Sequence, residues 1–152
     1  MNEKGVTLIE LIIVFVIIGI MAAFLAPGVS SWLPRYRLRS ATRDIVSTMR
    51  TCQMKAISYS GRQYLVNFNI GANSYVLQYN TGGLVCNDGP VQTAPPGITI
   101  NTSGLPGGTA AFNTDASCPN GGSIALSYQK NGVTQGQKGI SINPATGKVT
   151  IQ

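Results

Sequence analysis

The stretch Gly5-Val6-Thr7-Leu8-Ile9-Glu10, followed by the apolar run from Leu11 to Ala26, decides what this chain can be. Glu10 is the only charged residue between Val6 and Ala26. About twenty apolar residues in a helix are enough to span a bilayer. A carboxylate within such a span costs about 2.5–3.5 kcal/mol, so it is normally kept for a specific partner. A cut after Gly5 would supply that partner, because the new α-amine of Val6 would lie one helical turn from Glu10, in the same or a neighbouring copy.

This junction resembles the leader junction of type IV pilins and type II secretion pseudopilins, written G-F-T-L-I-E. The resemblance implies that a prepilin peptidase removes residues 1–5 by cutting after Gly5 and methylates the new terminus at Val6. It also implies that Glu10 serves assembly by pairing with the amine of another subunit. Val6 stands where the family usually has Phe.

A secretory signal peptide is the alternative interpretation of this segment. It would have a basic start, an apolar core of about 7–15 residues and a small-x-small cleavage site. Here the apolar run is longer, and residues 1–5 carry both Glu3 and Lys4. Arginines follow the run at positions 35, 37, 39 and 43, and the positive-inside rule alone would place the C-terminal part in the cytoplasm. The leader motif instead predicts a single-pass protein of the bacterial inner membrane, with its C-terminal part in the periplasm.

The remaining sequence predicts an α+β protein. Residues 6–27 form the transmembrane and assembly helix, and residues 28–60 continue it as an amphipathic helix with an apolar stripe of Leu38, Ala41, Ile45, Met49, Cys52, Ala56 and Tyr59. From Gly61 the apolar period changes to two, which is typical of strands. We therefore expect residues 61–152 to form an antiparallel β-sheet domain packed on the helix, as in the pilin fold. The resemblance also predicts helix breaks at Gly19 and Pro27.

Composition narrows the possible functions. Eleven Lys and Arg against five Asp and Glu give a net charge of +6, and the chain has no His. The commonest general base and the commonest metal ligand are therefore missing. Asp44, Asp88 and Asp115 are scattered, so the sequence offers no catalytic constellation, and we expect no enzyme, cofactor or metal site.

The three cysteines predict one disulfide if the domain is exported to an oxidising compartment. Cys86 and Cys118 lie in Gly-, Asn- and Pro-rich surroundings and are expected to pair. Cys52 lies within the helical stripe and is expected to stay buried and reduced.

The order of helix, strand hairpin and C-terminal Ile-x-Ile…Thr-Gly-Lys-Val-x-Ile resembles the GspH/FimT group of minor pilins and pseudopilins. The resemblance implies a subunit near the tip of a type IV pilus or a type II secretion pseudopilus, with other subunits as partners. A major pilin is a variant of this interpretation. The alternative function is a pilus-tip DNA receptor, in which Lys148, Lys138 and Arg62 would bind the DNA. Some group members bind DNA through Gly-Arg-x-Arg, but this chain has Gly147-Lys148-Val149-Thr150, so only weak DNA binding is expected.

Overall fold

The computed structural model describes residues 6–130 and 132–152, with the backbone alone for residues 25–31. One long helix precedes nine strands. The helix is α1 (Leu8–Ser58), and the strands are β1 (Gln63–Asn69), β2 (Ser74–Thr81), β3 (Leu84–Asn87), β4 (Gln92–Thr93), β5 (Ile98–Gly104), β6 (Thr109–Phe112), β7 (Ser123–Lys130), β8 (Val133–Ile142) and β9 (Val149–Ile151). A short 3₁₀ turn, Pro106–Gly108, joins β5 to β6.

The chain divides into two compact units, one ending at Pro34 and one running from Arg35 to Gln152. The first consists of the start of α1 and the residues before it. Breaks were predicted at Gly19 and Pro27. Both residues lie within the bounds of α1, which continues before and after each of them. A break at these positions in a filament stays a prediction.

The second unit contains two antiparallel sheets. The first has the order β3-β2-β1-β6, with β4 also paired to β2, and the second has the order β5-β7-β8-β9. The predicted hairpins are both present: β1 pairs with β2 across a turn at residues 70–73, and β8 pairs with β9 across residues 143–148. The predicted α+β architecture is therefore confirmed.

The side chain of Asn73 joins the two sheets. Its amide donates a hydrogen bond to the Ile98 carbonyl and its oxygen accepts one from the Ile100 N–H at 2.8 Å. Asn73 has a φ of 50°, a left-handed conformation that Asn tolerates better than most residues. A single turn side chain thus adds to the pairing that β5 already makes with β7.

One core fills the second unit. Its helical contribution, which we call the core stripe, is Leu38, Ala41, Ile45, Val46, Met49, Cys52 and Ala56, all buried. The predicted stripe also included Tyr59, which was wrong: α1 ends at Ser58, and Tyr59 is exposed. Both sheets contribute large buried residues to the same cluster, among them Tyr64, Phe112, Ile124 and Ile140.

Candidate assembly segment and partner surfaces

The start of α1 is capped by Thr7. The Glu10 N–H donates to the Thr7 hydroxyl at 3.3 Å and to the Thr7 carbonyl at 3.1 Å. A hydroxyl at this position satisfies one of the helix N–H groups that have no intrahelical acceptor. Gly5, the predicted cleavage residue, lies outside the described residues, and Val6, predicted to be methylated, precedes the cap and is exposed.

Glu10 occupies the third position of this helix, in its first turn. Thr7-Leu8-Ile9-Glu10 therefore matches the Thr-x-x-Glu pattern of a capping box, and the positive end of the helix dipole favours a carboxylate here. The sequence interpretation assigned Glu10 to assembly alone and missed this local role, although the pattern was visible. Glu10 thus has a structural reason to be acidic as well as a predicted functional one.

The apolar side chains from Val6 to Phe24, which we call the apolar segment, are accessible to solvent. Every large one is exposed, from 47% at Ile12 to 79% at Leu8 and Phe24. Exposed apolar surface of this extent marks an interaction site with protein or membrane. None of the helical segments in the described part of the chain combines the length and the apolarity that a membrane crossing requires.

All three cysteines are free thiols in this structure. The Cys86–Cys118 disulfide is therefore not shown and stays a prediction. Cys86 lies on β3 opposite Tyr79 of β2, whereas Cys118 is buried in the core cluster that also contains Cys52. Burial raises the pKa of the Cys118 thiol to about 11 and raises that of Cys52 further. Cys52 is buried and reduced, as predicted.

The three residues predicted to bind DNA do not line a common cavity. The Arg62 guanidinium lies over the Tyr79 ring, 4.7 Å from its centroid, and Lys148 is exposed at the end of the β8–β9 turn. Lys138 of β8 instead lines a small cavity of about 150 Å³ with Arg39 and Arg43 of α1. The packing of β8 beside α1 is what brings this third cation to the two arginines.

This basic cluster (Arg39, Arg43 and Lys138) has no acidic partner. Among the described residues the only ion pair joins Lys55 Nζ to Asp88 Oδ2 at 2.7 Å. Three cations around one small cavity repel one another, and an anion there would offset the repulsion. The cluster can therefore accept a phosphate or carboxylate group.

The three aspartates that the sequence analysis singled out have separate surroundings. Asp88 pairs with Lys55, and Asp115 accepts hydrogen bonds from the Ser117 N–H at 3.0 Å and the Ser117 hydroxyl at 2.6 Å, which lower the pKa of Asp115. Asp44 lies close enough to Tyr75 to help raise the pKa of that tyrosine, after burial. No group of three potential metal ligands occurs in the described ranges, 6–130 and 132–152.

The N-terminal junction has a known counterpart. Residues 1–26 match the prokaryotic N-terminal methylation motif. This match confirms the resemblance of the junction to that of type IV pilins and type II secretion pseudopilins.

Two solved structures illustrate the likeness of fold. The Pseudomonas aeruginosa type IV minor pilin FimU is 15% identical, with a TM-score of 0.60 over 78% of this chain and 90% of that one. The Vibrio cholerae minor pseudopilin EpsH, from the type 2 secretion system, is 10% identical, with a TM-score of 0.60 over 76% of this chain and 96% of that one. No curated protein matches this sequence.

Proposed function

We propose that this protein is a minor pilin or pseudopilin, a structural subunit that assembles through its N-terminal helix into a type IV pilus or a type II secretion pseudopilus. The observation that carries the proposal is the exposed apolar segment, which lies within the matched methylation motif. Lipid before assembly and other subunits in the filament would each keep that surface from water, which is worth about 25 cal/mol per Å² of apolar area. The likeness of fold to FimU and EpsH, a minor pilin and a minor pseudopilin, supports the same role.

The subunit is proposed to occupy two locations in turn, the membrane and then the filament. Before assembly, residues 6–27 hold it in the bacterial inner membrane, and residues 61–152 face the periplasm. Prepilin peptidase cuts after Gly5 and methylates Val6. In the filament, neighbouring subunits take over the cover of the apolar segment, and the tip is the proposed position.

Glu10 would pair with the methylated amine of Val6 on a neighbouring subunit during this transfer. The amine is a cation without a counter-charge in the apolar surroundings of a filament core, so each pair would relieve two desolvated charges at once. The pairing is distinct from the capping of α1, which needs a hydrogen-bonding side chain at this position but no net charge.

Glu10→Gln separates these two roles, because Gln also serves in a capping box but carries no charge. We expect Glu10→Gln to reach the membrane at wild-type levels and to be absent from sheared filaments, as measured by immunoblot of both fractions. Thr7→Ala is the matched control: it removes the cap, worth about 0.5–2 kcal/mol, but keeps the charge, and it should still enter filaments.

Normal incorporation of Glu10→Gln would assign Glu10 to helix capping and contradict the pairing. Processing is measured separately. The intact mass of protein from membranes should correspond to a chain that begins at methylated Val6. A mature terminus near Gly28 would instead indicate a signal peptide and would contradict the whole proposal.

DNA binding is the second candidate, and the basic cluster is the observation that favours it. Phosphates need only Lys and Arg partners, and such binding weakens steeply with salt. We expect the full-length protein in detergent to bind duplex DNA weakly and without sequence preference at low salt. Arg39→Ala with Arg43→Ala should abolish this binding, whereas Lys148→Ala should change it little. Undetectable binding at low salt would rule the candidate out.

A further inference from the structure

A groove on the outer face of the first sheet carries a continuous row of side-chain amides. Asn67 of β1, Gln78 of β2 and Asn87 of β3 line it, and its volume is about 570 Å³. We call it the amide groove. Ile70 and Val91 contribute exposed apolar side chains to it. None of its lining residues carries a charge, in a chain whose net charge is +6.

The amides form a directional chain of hydrogen bonds. Asn67 Nδ2 donates to Gln78 Oε1 at 3.2 Å, and Gln78 Nε2 donates to Asn87 Oδ1 at 2.8 Å. Because both bonds run the same way, Asn67 Oδ1 remains as an acceptor at one end and Asn87 Nδ2 as a donor at the other. Neither atom has a hydrogen-bond partner among the described residues. Bonds arranged head to tail polarise one another, which strengthens both terminal groups.

We propose that the amide groove binds a neutral glycan. Sugar hydroxyls both donate and accept, so one ligand can satisfy the acceptor of Asn67 and the donor of Asn87. The C–H faces of the sugar rings would pack on Ile70 and Val91. Binding sites generally combine such apolar walls with a few placed polar groups. A charged ligand would find no counter-charge in the groove.

An extended peptide also donates and accepts, but the groove does not suit it. Peptides usually bind sheets by pairing with the backbone of a free edge strand. The floor of the groove is instead the side-chain face of β1 and β2. The backbones of these strands already pair with each other, residues 63–69 with residues 74–80. The available hydrogen bonds are therefore those of side chains, which favours a hydroxyl-rich ligand. This site does not depend on the proposed assembly role.

The test uses the full-length protein in a detergent that contains no sugar. A glycan array with neutral and acidic members is the first probe, and calorimetric titration of the strongest ligand follows. We expect neutral glycans to bind and acidic ones to be no better. Gln78→Leu breaks both bonds of the amide chain and should weaken binding at least tenfold. Gln137→Leu changes an exposed amide on β8, outside the groove, and should bind as the wild type does.

Thermal unfolding of each variant controls for folding, and Asn87→Ala, at an exposed position, replaces Gln78→Leu if the latter does not fold. The proposal is overturned if no neutral glycan on the array binds, or if only acidic glycans bind. It is equally overturned if Gln78→Leu, or its replacement, binds as tightly as Gln137→Leu. Preferential binding of an uncharged extended tetrapeptide would assign the groove to protein partners instead.

Discussion

The two halves of α1 are both rich in apolar residues, but they differ in how far those residues are buried. In the core stripe every side chain is covered by the sheets, whereas in the apolar segment every large side chain is exposed. The sequence shows the reason. The core stripe repeats at helical spacing, so only one face needs cover, and one domain can provide it. The apolar residues of the apolar segment lie on all faces of the helix, so a domain packed on one face could not cover them.

Thiol reactivity should give the largest contrast between these halves. Cys52 lies in the core stripe, so it and Cys118 become accessible only when the domain opens. Since domains are commonly stable by about 5–15 kcal/mol, we expect both to react at least about a thousandfold more slowly in the native state than after unfolding. A small maleimide that enters detergent micelles should modify Ile13→Cys, in the apolar segment, at nearly the same rate in both states.

The same experiment tests the free thiols. After denaturation without reductant, three cysteines should react in the wild type. If only one reacts, a disulfide is present, and peptide mapping would then decide whether Cys86–Cys118 pairing, as predicted from sequence, was correct after all.

Truncating one side chain in each half should give the next largest difference. Met49→Ala leaves a cavity at a fully buried position and should lower the free energy of unfolding by about 2–5 kcal/mol. Ile13→Ala should change it by no more than about 0.5 kcal/mol, because Ile13 makes no contribution to a packed core. Denaturant titration of both variants in the same detergent measures this. Equal destabilisation would show that the apolar segment is packed against its own domain.

Substitution of Gly147 tests how much the packing of the C-terminal turn against the domain contributes to stability. The φ of Gly147 is 61°, and a Cβ there would collide with the carbonyl oxygen of Ala116. Gln53 of α1 donates to that same carbonyl at 3.1 Å, so the turn, the loop and the helix meet at one place. The left-handed conformation alone would cost Gly147→Ala about 1–3 kcal/mol, and the collision adds to it.

Gly82→Ala is the control, because Gly82 has a φ of 58° with no atom within 4 Å of the added methyl group. It should be less destabilising than Gly147→Ala in thermal unfolding. If the two variants lose the same stability, the close approach to Ala116 has no energetic weight.

The smallest effect concerns alkaline pH. Burial, aided by the charge of Asp44, raises the pKa of Tyr75 to about 12. Below about pH 10, the ordinary tyrosine pKa, Tyr75 is neutral in both states, and its contribution to the stability of the fold is fully present. Above it the unfolded chain ionises first, and about 1 kcal/mol should be lost by pH 11. Tyr75→Phe should remove this part of the pH dependence, measured by denaturant titration from pH 8 to pH 11. An unchanged slope would show that Tyr75 is not responsible.

Local chemistry determined much of the molecule from sequence alone. The junction around Gly5 and Glu10 needs only its neighbours in the chain to be recognised, and the helical period of the core stripe and the alternation in the hairpins need only the geometry of a helix or a strand. The hairpins and the predicted stripe, except for Tyr59, agreed with the structure. Cleavage after Gly5 and assembly through Glu10 stay predictions. The helix cap at Thr7 could also have been predicted from the sequence, because a capping residue lies within one turn of the N–H groups that it binds. It was overlooked.

What the tertiary structure alone decided depends on residues far apart in the chain. Packing of β8 beside α1 brings Lys138 to Arg39 and Arg43, and the register of three strands aligns Asn67, Gln78 and Asn87 in one hydrogen-bonded row. The cysteines show the same limit. Turn-rich surroundings suggested that Cys86 and Cys118 pair, whereas Cys118 is buried in the core cluster with Cys52 and Cys86 lies on β3. A sequence states which groups are available, but non-local contacts determine which of them meet, and those contacts follow from burying one shared core.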